Sequence, residues 1–294
     1  MGAKFQGSIV AIVTPFKDGK IDKKAFRDLI EFQITSGTDG IVPCGTTGES
    51  ATLSYEEHER VVELCIEATA GRVPVIAGTG SNSTKEAIML TKAAEKAGAD
   101  ASLQVSPYYN KPMQDGLYEH FKQVADNTNL PIILYNIQGR TGVNILPETV
   151  ARLAEIKNIV AIKEASGSLV QMAEIIKLCG DKIDVLSGDD PLTLPLLAIG
   201  GKGVISVSAN VAPKENAQMW DAWSKGKIDK VRKIFYQLLP LNRALFIETN
   251  PIPVKAALHL MGKIGPEIRL PLTPMRGANL EKLRAAMADF GLLS

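Results

Sequence analysis

The lysine in Ile159-Val160-Ala161-Ile162-Lys163-Glu164-Ala165-Ser166-Gly167 closes a short β-branched apolar run that reads as a buried strand. An amine there has lost much of its hydration, and desolvation disfavours the ammonium relative to the neutral form. A neutral amine in a dry pocket attacks carbonyl carbon, which is the first requirement of Schiff-base chemistry. The plainer reading is a strand-end lysine that snorkels to solvent or pairs with Glu164. Other chemistry-bearing residues recur at similar places. Gly45-Thr46-Thr47-Gly48-Glu49 is a tight turn whose backbone N–H groups can converge on an anion, with two hydroxyls as short donors. Ser106-Pro107-Tyr108-Tyr109-Asn110, Tyr135-Asn136 and Gly139-Arg140-Thr141-Gly142 add phenols able to relay a proton and a guanidinium able to grip a carboxylate bidentately. Taken singly, a glycine-rich turn is often structural and a lone tyrosine is often an amphipathic interface residue.

The elements that must position these groups alternate along the chain. Strand-like runs at Ser8–Val13, Gly40–Val42, Pro74–Ala77, Ala101–Val105, Pro131–Tyr135, Ile159–Lys163, Asp184–Ser187 and Gly203–Val207 are each followed by a helix. The helices read as Asp22–Ser36, Ser54–Ala70, a Ser/Asn/Thr-capped segment to Ala97, Gln114–Asn127, Pro147–Ala154, Leu169–Cys179, Leu192–Ile199 and Pro213–Lys225. Eight βα units in about 225 residues predict an α/β protein of the TIM (β/α)8 barrel type. The remainder carries no strand pattern and reads as helices at Ile228–Asn242, Pro253–Met261 and Leu280–Phe290. The expected organisation is therefore a barrel over residues 1–225 and a helical C-terminal extension over 226–294.

In such a barrel the chemistry sits where the strands end and the following loops begin. That face receives Thr46, Thr47, Tyr108, Tyr109, Tyr135, Arg140 and Lys163, together with Ser187-Gly188-Asp189-Asp190 and Ile205-Ser206-Val207-Ser208-Ala209-Asn210. The set suits a carbonyl-plus-carboxylate substrate handled without metal or phosphate. A 2-oxo acid fits, with Lys163 taking the ketone and the Thr46-Thr47 turn its carboxylate. Arg140 is then left for a second acidic substrate.

Composition narrows the classes further. Of 294 residues, 45% are hydrophobic and 22% charged, with a formal net charge of +1 and no clustering of Lys and Arg. Neither nucleic acid nor an anionic membrane surface is an expected partner. No apolar stretch is long enough to span a bilayer, and the N-terminus shows no export-type apolar region. The three cysteines (Cys44, Cys65, Cys179) have neither disulfide-framework nor zinc-site spacing, which points to a cytoplasmic protein, with Cys44 in an apolar strand and Cys65 on an apolar helix stripe both reading as buried. His58, His120 and His259 are scattered and follow no metal-ligand pattern, and each reads as a surface or capped helix residue.

With these motifs placed, the chain resembles the dihydrodipicolinate synthases, within the pyruvate-dependent class I aldolase superfamily. The resemblance runs from about Gly7 to Leu293, on Gly45-Thr46-Thr47-Gly48-Glu49-Ser50, Ser106-Pro107-Tyr108-Tyr109-Asn110, Tyr135-Asn136, Arg140-Thr141-Gly142, Ile162-Lys163-Glu164-Ala165 and Asn250-Pro251-Ile252-Pro253-Val254-Lys255. It implies condensation of pyruvate with L-aspartate-4-semialdehyde to 4-hydroxy-tetrahydrodipicolinate, the first committed step toward diaminopimelate and lysine. It implies no cofactor and no metal, the covalent intermediate being an imine between Lys163 and pyruvate. Tyr135 would shuttle protons, with Thr46 hydrogen-bonded to it and Tyr109 of a neighbouring subunit completing the relay. Thr46 and Thr47 would hold the pyruvate carboxylate, Arg140 that of the acceptor aldehyde, and Gly188 and Ile205 would line the pyruvate end.

The resemblance also implies a homotetramer, a dimer of dimers. It implies as well an allosteric lysine site on Ser50, Ala51, Tyr55, His58, Asn82, Glu86 and Tyr108. Two departures stand out: Gln138-Gly139 replaces the usual Pro-Ser pair before Arg140, which suggests a looser loop, and Tyr55 occupies a position that is often His in lysine-sensitive members. The rival readings are a sialate or 2-keto-3-deoxy-sugar-acid lyase of the same superfamily, and a non-catalytic ligand-binding descendant.

Overall fold

Short apolar runs alternating with amphipathic helices can bury both faces of a parallel sheet only by laying the helices over it. The structure, a computed structural model, describes residues 5–293. In chain order it contains β1 (Gly7–Ala11), β2 (Phe16–Lys17), β3 (Lys20–Ile21), α1 (Lys23–Thr35), β4 (Gly40–Val42) and α2 (Tyr55–Thr69). Then come β5 (Ile76–Gly78), α3 (Thr84–Ala97), β6 (Ala101–Val105), α4 (Gln114–Ala125), β7 (Ile132–Asn136), α5 (Gln138–Thr141) and α6 (Pro147–Leu153). These are followed by β8 (Ile159–Glu164), α7 (Leu169–Cys179), β9 (Asp184–Ser187), α8 (Thr193–Ala198) and β10 (Gly203–Ser206). Four helices close the chain: α9 (Pro213–Ser224), α10 (Ile228–Ala244), α11 (Ile252–Leu260) and α12 (Gly277–Phe290). The parallel strands run in the order β4-β1-β10-β9-β8-β7-β6-β5, the sheet of the expected (β/α)8 barrel, with C-terminal helices added.

By its internal contacts the chain forms two compact units, one built on Pro74–Ile205 and the other on Gly7–Val73 with residues 206–293. In the first, β6, β7, β8 and β9 pair in parallel with Val105↔Tyr135, Tyr135↔Lys163 and Lys163↔Leu186 in register. Period-two alternation divides each strand between two faces. Ile132, Leu134 and Ile162 join Leu117, Phe121, Val150, Leu153, Met172 and Ile175 in one core under the helices. Tyr135 and Lys163, one position on from Leu134 and Ile162, point to the opposite face.

In the second unit β1 and β4 pair in parallel, with Ile9↔Gly40 through Ala11↔Val42 in register. Asn210 continues β1, its amide donating to Ala11 O (2.8 Å) and its Oδ1 accepting from Val13 N (3.1 Å). The helix starts follow local signals. Asp22 caps α1, Ser54 and Glu57 form a capping box on α2, and Pro213 opens α9.

Most expected elements are present with ends shifted by one or two residues. A hairpin between β2 and β3 goes beyond the sequence reading, its Asp18-Gly19 turn holding both residues at positive φ (54° and 74°). Two-residue strands carry no readable alternation, although an Asp-Gly pair is itself a turn signal. Cys44 lies in the turn after β4 rather than in the strand, at φ 55°. No helix among the described residues is long and apolar enough to cross a membrane.

Two of the histidines read as surface or capped helix residues are buried: His58 is 6% and His120 5% exposed. His120 Nδ1 lies 2.9 Å from Thr84 Oγ1, and the ring packs edge-on against Phe121. Burial pushes its pKa down from 6.5 to about 4, so the folded chain holds this ring neutral where the unfolded chain protonates it. The unfolded state then binds more protons between these values. The contribution to stability is complete above pH 6.5 and is lost as pH falls toward about 4. The full loss should approach about 3 kcal/mol, read by denaturant unfolding at pH 7, 5.5 and 4. The His120→Asn protein should show a flatter pH dependence across that window, and an unchanged slope would remove His120 from the account.

Candidate active site

β7 and β8 deliver a phenol and an amine side by side. The Tyr135↔Lys163 register places them on neighbouring strands and the same face, with Lys163 Nζ 4.2 Å from the Tyr135 ring centroid. Both are 5% exposed. Among the described residues Lys163 has no ion pair and no side-chain hydrogen bond, so neither plain expectation for it holds: it does not reach bulk water and does not pair with Glu164. Alternation sends Glu164 to the other side, where its carboxylate accepts from Asn136 Nδ2 (3.0 Å), Gln171 Nε2 (3.1 Å) and Ser166 N (2.6 Å). Asn144 completes that group through Asn136 (2.7 Å) and Gln171 (2.8 Å). This network was not anticipated, since nothing in Glu164 alone distinguishes a carboxylate facing the helices from one facing the amine.

Gly188 follows β9 and gives the lysine its room. A Cβ there would stand 2.6 Å from Ala165 Cβ, 3.0 Å from Lys163 Cε and 3.1 Å from Lys163 Cγ. Its N–H donates to Glu164 O (2.8 Å), which fixes the backbone against the lysine stem. Ile205, on β10, is fully buried. Arg140 is exposed and sits in the single helical turn α5. The segment carrying Arg140 is a helical turn, closed by Gly142 at φ 71° and by Thr141 Oγ1 donating to Ile137 O (3.0 Å) and Val143 O (2.9 Å). Tyr109 is held out at φ 72° with 90% of its surface exposed.

The Gly45–Glu49 turn belongs to the other compact unit. Its carbonyls absorb the N–H groups of Gly48, Glu49 and Ser50 at 3.0–3.4 Å, while Thr46 and Thr47 N–H have no partner among the described residues. Gly48 is closely surrounded, since a Cβ would meet Cys44 N at 3.1 Å and Ile12 O at 3.3 Å. Glu49 takes the left-handed conformation (φ 57°, ψ 35°) with its carboxylate buried. That carboxylate pairs with the Lys255 ammonium and accepts from Arg269 N (3.0 Å). Lys255 also donates to Thr14 O (3.0 Å) and lies over the Phe16 ring (4.4 Å). Burial lowers the Lys255 pKa against the raising effect of Glu49. Arg269 clamps Glu57 with both guanidinium nitrogens (2.6 Å each). Lys255 stood in a recognised motif but without a role; a lysine on the apolar segment Ile252–Leu260 was the signal that it is buried and paired.

The candidate lysine-site residues fall in both units. Ser50 and Ala51 lie in a 3-10 turn, with Tyr55 and His58 on α2. In the other unit Asn82 O accepts from Asn110 (2.9 Å), Glu86 accepts from Ser81 Oγ (2.8 Å), and Tyr108 is exposed. Among the described residues no cluster of three His, Cys, Asp or Glu is arranged to hold a metal ion.

A buried lysine against a tyrosine at the strand ends of a (β/α)8 barrel is an arrangement suited to Schiff-base chemistry, and the chain is a lyase. The chain belongs to the dihydrodipicolinate synthetase family, whose model matches residues 4–289. It is 63% identical over 289 residues, 98% of this chain and 99% of the relative, to the 4-hydroxy-tetrahydrodipicolinate synthase of Thermodesulfovibrio yellowstonii. The chloride-inhibited dihydrodipicolinate synthase of Acinetobacter baumannii, solved with pyruvate, is 49% identical with a TM-score of 0.97, covering 99% of this chain and 100% of that one. The enzyme of Cyanidioschyzon merolae, solved with lysine bound, is 45% identical with a TM-score of 0.95 at 99% and 100% coverage.

Two substitutions test this geometry. Gly188→Ala should displace the Lys163 stem and slow reductive alkylation of Lys163 by a small carbonyl compound and borohydride about tenfold, read by peptide mass. Lys255→Met should leave Glu49 buried without its cation and destabilise the chain by about 3–5 kcal/mol in denaturant unfolding. Adding Glu49→Gln should recover part of that loss.

Proposed function

We propose that this lyase condenses pyruvate with L-aspartate-4-semialdehyde through an imine on Lys163, forming 4-hydroxy-tetrahydrodipicolinate on the route to diaminopimelate and lysine. The observation that carries the reading is the buried, unpaired Lys163 amine against the Tyr135 ring. Lys163 Nζ attacks the ketone carbon of pyruvate, and the carbinolamine loses water to give the iminium. The iminium acidifies the adjacent methyl group, so a weak base suffices to remove its proton. The resulting enamine carbon attacks the aldehyde carbon, whose oxygen takes up a proton. The amino group of the acceptor then displaces Lys163, which closes the six-membered ring and regenerates the amine.

Tyr135 carries the protons, supported by Thr46 and by Tyr109 from a neighbouring subunit. The outward, 90%-exposed Tyr109 supports an assembly in which it serves another copy, a homotetramer arranged as a dimer of dimers. Thr46 and Thr47 hold the pyruvate carboxylate, and their unspent N–H groups support that role. Gly188 and Ile205 line the pyruvate end, and exposed Arg140 takes the carboxylate of the acceptor. The enzyme works without a cofactor, in the cytoplasm. Lysine acts as feedback inhibitor through Ser50, Ala51, Tyr55, His58, Asn82, Glu86 and Tyr108; the lysine-bound relative from Cyanidioschyzon merolae supports this.

Borohydride added with pyruvate should attach one reduced pyruvate to Lys163 by peptide mass, and Lys163→Ala should abolish the adduct. No adduct on the unaltered protein would overturn the imine reading. Arg140→Ala should lower kcat/KM for the semialdehyde about a hundredfold, the scale of a lost bidentate ion contact, while the pyruvate adduct forms as before. Turnover of N-acetylmannosamine or glyceraldehyde in preference to the semialdehyde would assign the chain to the sugar-acid lyases instead.

A further inference from the structure

Thr47 is 2% exposed, and a side chain more than two hundred residues away reaches its hydroxyl: Asn250 Nδ2 donates to Thr47 Oγ1 at 3.0 Å. Asn250 is itself 5% exposed. An amide nitrogen only donates, whereas a hydroxyl has one proton to give and two lone pairs to receive. With Asn250 occupying a lone pair, the Thr47 proton turns away from Asn250 and is left to donate elsewhere. The unspent Thr46 and Thr47 N–H groups are also donors, so with the Thr47 hydroxyl the turn offers three donors, which is the complement of a carboxylate.

The same C-terminal segment holds the turn a second time. Five residues beyond Asn250, Lys255 pairs with Glu49 and donates to Thr14 O, while Thr14 Oγ1 donates to Gly48 O (2.7 Å). The turn is thus fixed at Thr47 by a neutral donor and at Glu49 by an ion pair. These two struts have different consequences. The ion pair sets where the backbone lies, and Asn250 sets which way one proton points.

We propose that Asn250 is a positioning residue that makes the Thr47 hydroxyl a dedicated donor to the carboxylate of the 2-oxo acid. This rests on the reading of Thr46 and Thr47 as the pyruvate-carboxylate site. Asn250 acts on the substrate through Thr47, to which its amide donates. Its effect belongs to pyruvate binding and imine formation, not to the acceptor aldehyde.

Asn250→Asp tests it with nearly the same shape. A carboxylate in that place accepts from Thr47, withdraws the proton from the substrate and adds a like charge. The pyruvate concentration that half-saturates borohydride trapping on Lys163 should rise about tenfold to a hundredfold, the range of a hydrogen bond to a charged group. The KM for the semialdehyde and kcat at saturating pyruvate should stay within about threefold, well under one such bond. Thr47→Val added to Asn250→Asp should cause little further loss, because both remove one donor. If circular dichroism shows Asn250→Asp unfolded, Asn250→Ala is measured instead, with a smaller rise of about fivefold in the same quantity. Half-saturation within twofold of the unaltered protein, or effects of the two substitutions that simply multiply, would overturn the role of Asn250 while leaving the imine intact. Failure of the unaltered protein to form the imine would overturn the underlying carboxylate reading, and this proposal with it.

Discussion

Everything the chain does with Lys163 depends on the pleat of one strand. Ile162, Lys163 and Glu164 are consecutive, and alternation turns the middle one away from its neighbours. A lysine and a glutamate adjacent in sequence would ordinarily be expected to meet. Here the pleat separates them, and two side-chain amides and a backbone N–H on the helix side satisfy the carboxylate so that it has no reason to swing back. The amine is left with an aromatic face, a glycine too small to obstruct it and no counter-ion. The register with β7 makes that aromatic face a tyrosine, because the strand bearing Tyr135 is locked beside the strand bearing Lys163 one residue to one.

The second theme is how polar groups are buried without being wasted. Buried charges are tolerated only when paired and hydrogen-bonded. Glu164 is satisfied by neutral amides and a backbone N–H, which leaves no spare cation near the amine. Glu49 is satisfied by a lysine and a backbone N–H, which holds a glycine-rich turn in a conformation its sequence would otherwise leave loose. The two carboxylates solve the same problem with different partners, and each choice suits what its surroundings must do.

Much of this was legible in the sequence. Eight alternating units gave the barrel because each strand-like run was short and apolar and each helix had a readable start, as at Ser54 and Pro213. Lys163, Tyr135 and the Gly45–Glu49 turn were legible because their residue types sit at strand ends, where few plain explanations exist. The hairpin around Asp18-Gly19 escaped because its strands are two residues long. The helical turn carrying Arg140 escaped because Gly139 argues against helix and the order there comes from Thr141 and Gly142. The network behind Glu164 and the link from Asn250 to Thr47 escaped for a deeper reason. Each joins residues whose partners are set by packing, and the second spans most of the chain, where local pattern carries no information.

The clamp of Arg269 on Glu57, with its guanidinium over the Phe16 ring (4.2 Å), bears on how the gene can be cut and rejoined. Together with Asn250 and Lys255 it makes the closing segment a set of three rivets driven back into the first sixty residues. A minimal barrel ending near residue 225 would keep every barrel strand yet lose all three. Libraries that shuffle this family by exchanging barrel halves should therefore inherit the opening and closing segments from one parent, as a single unit of descent.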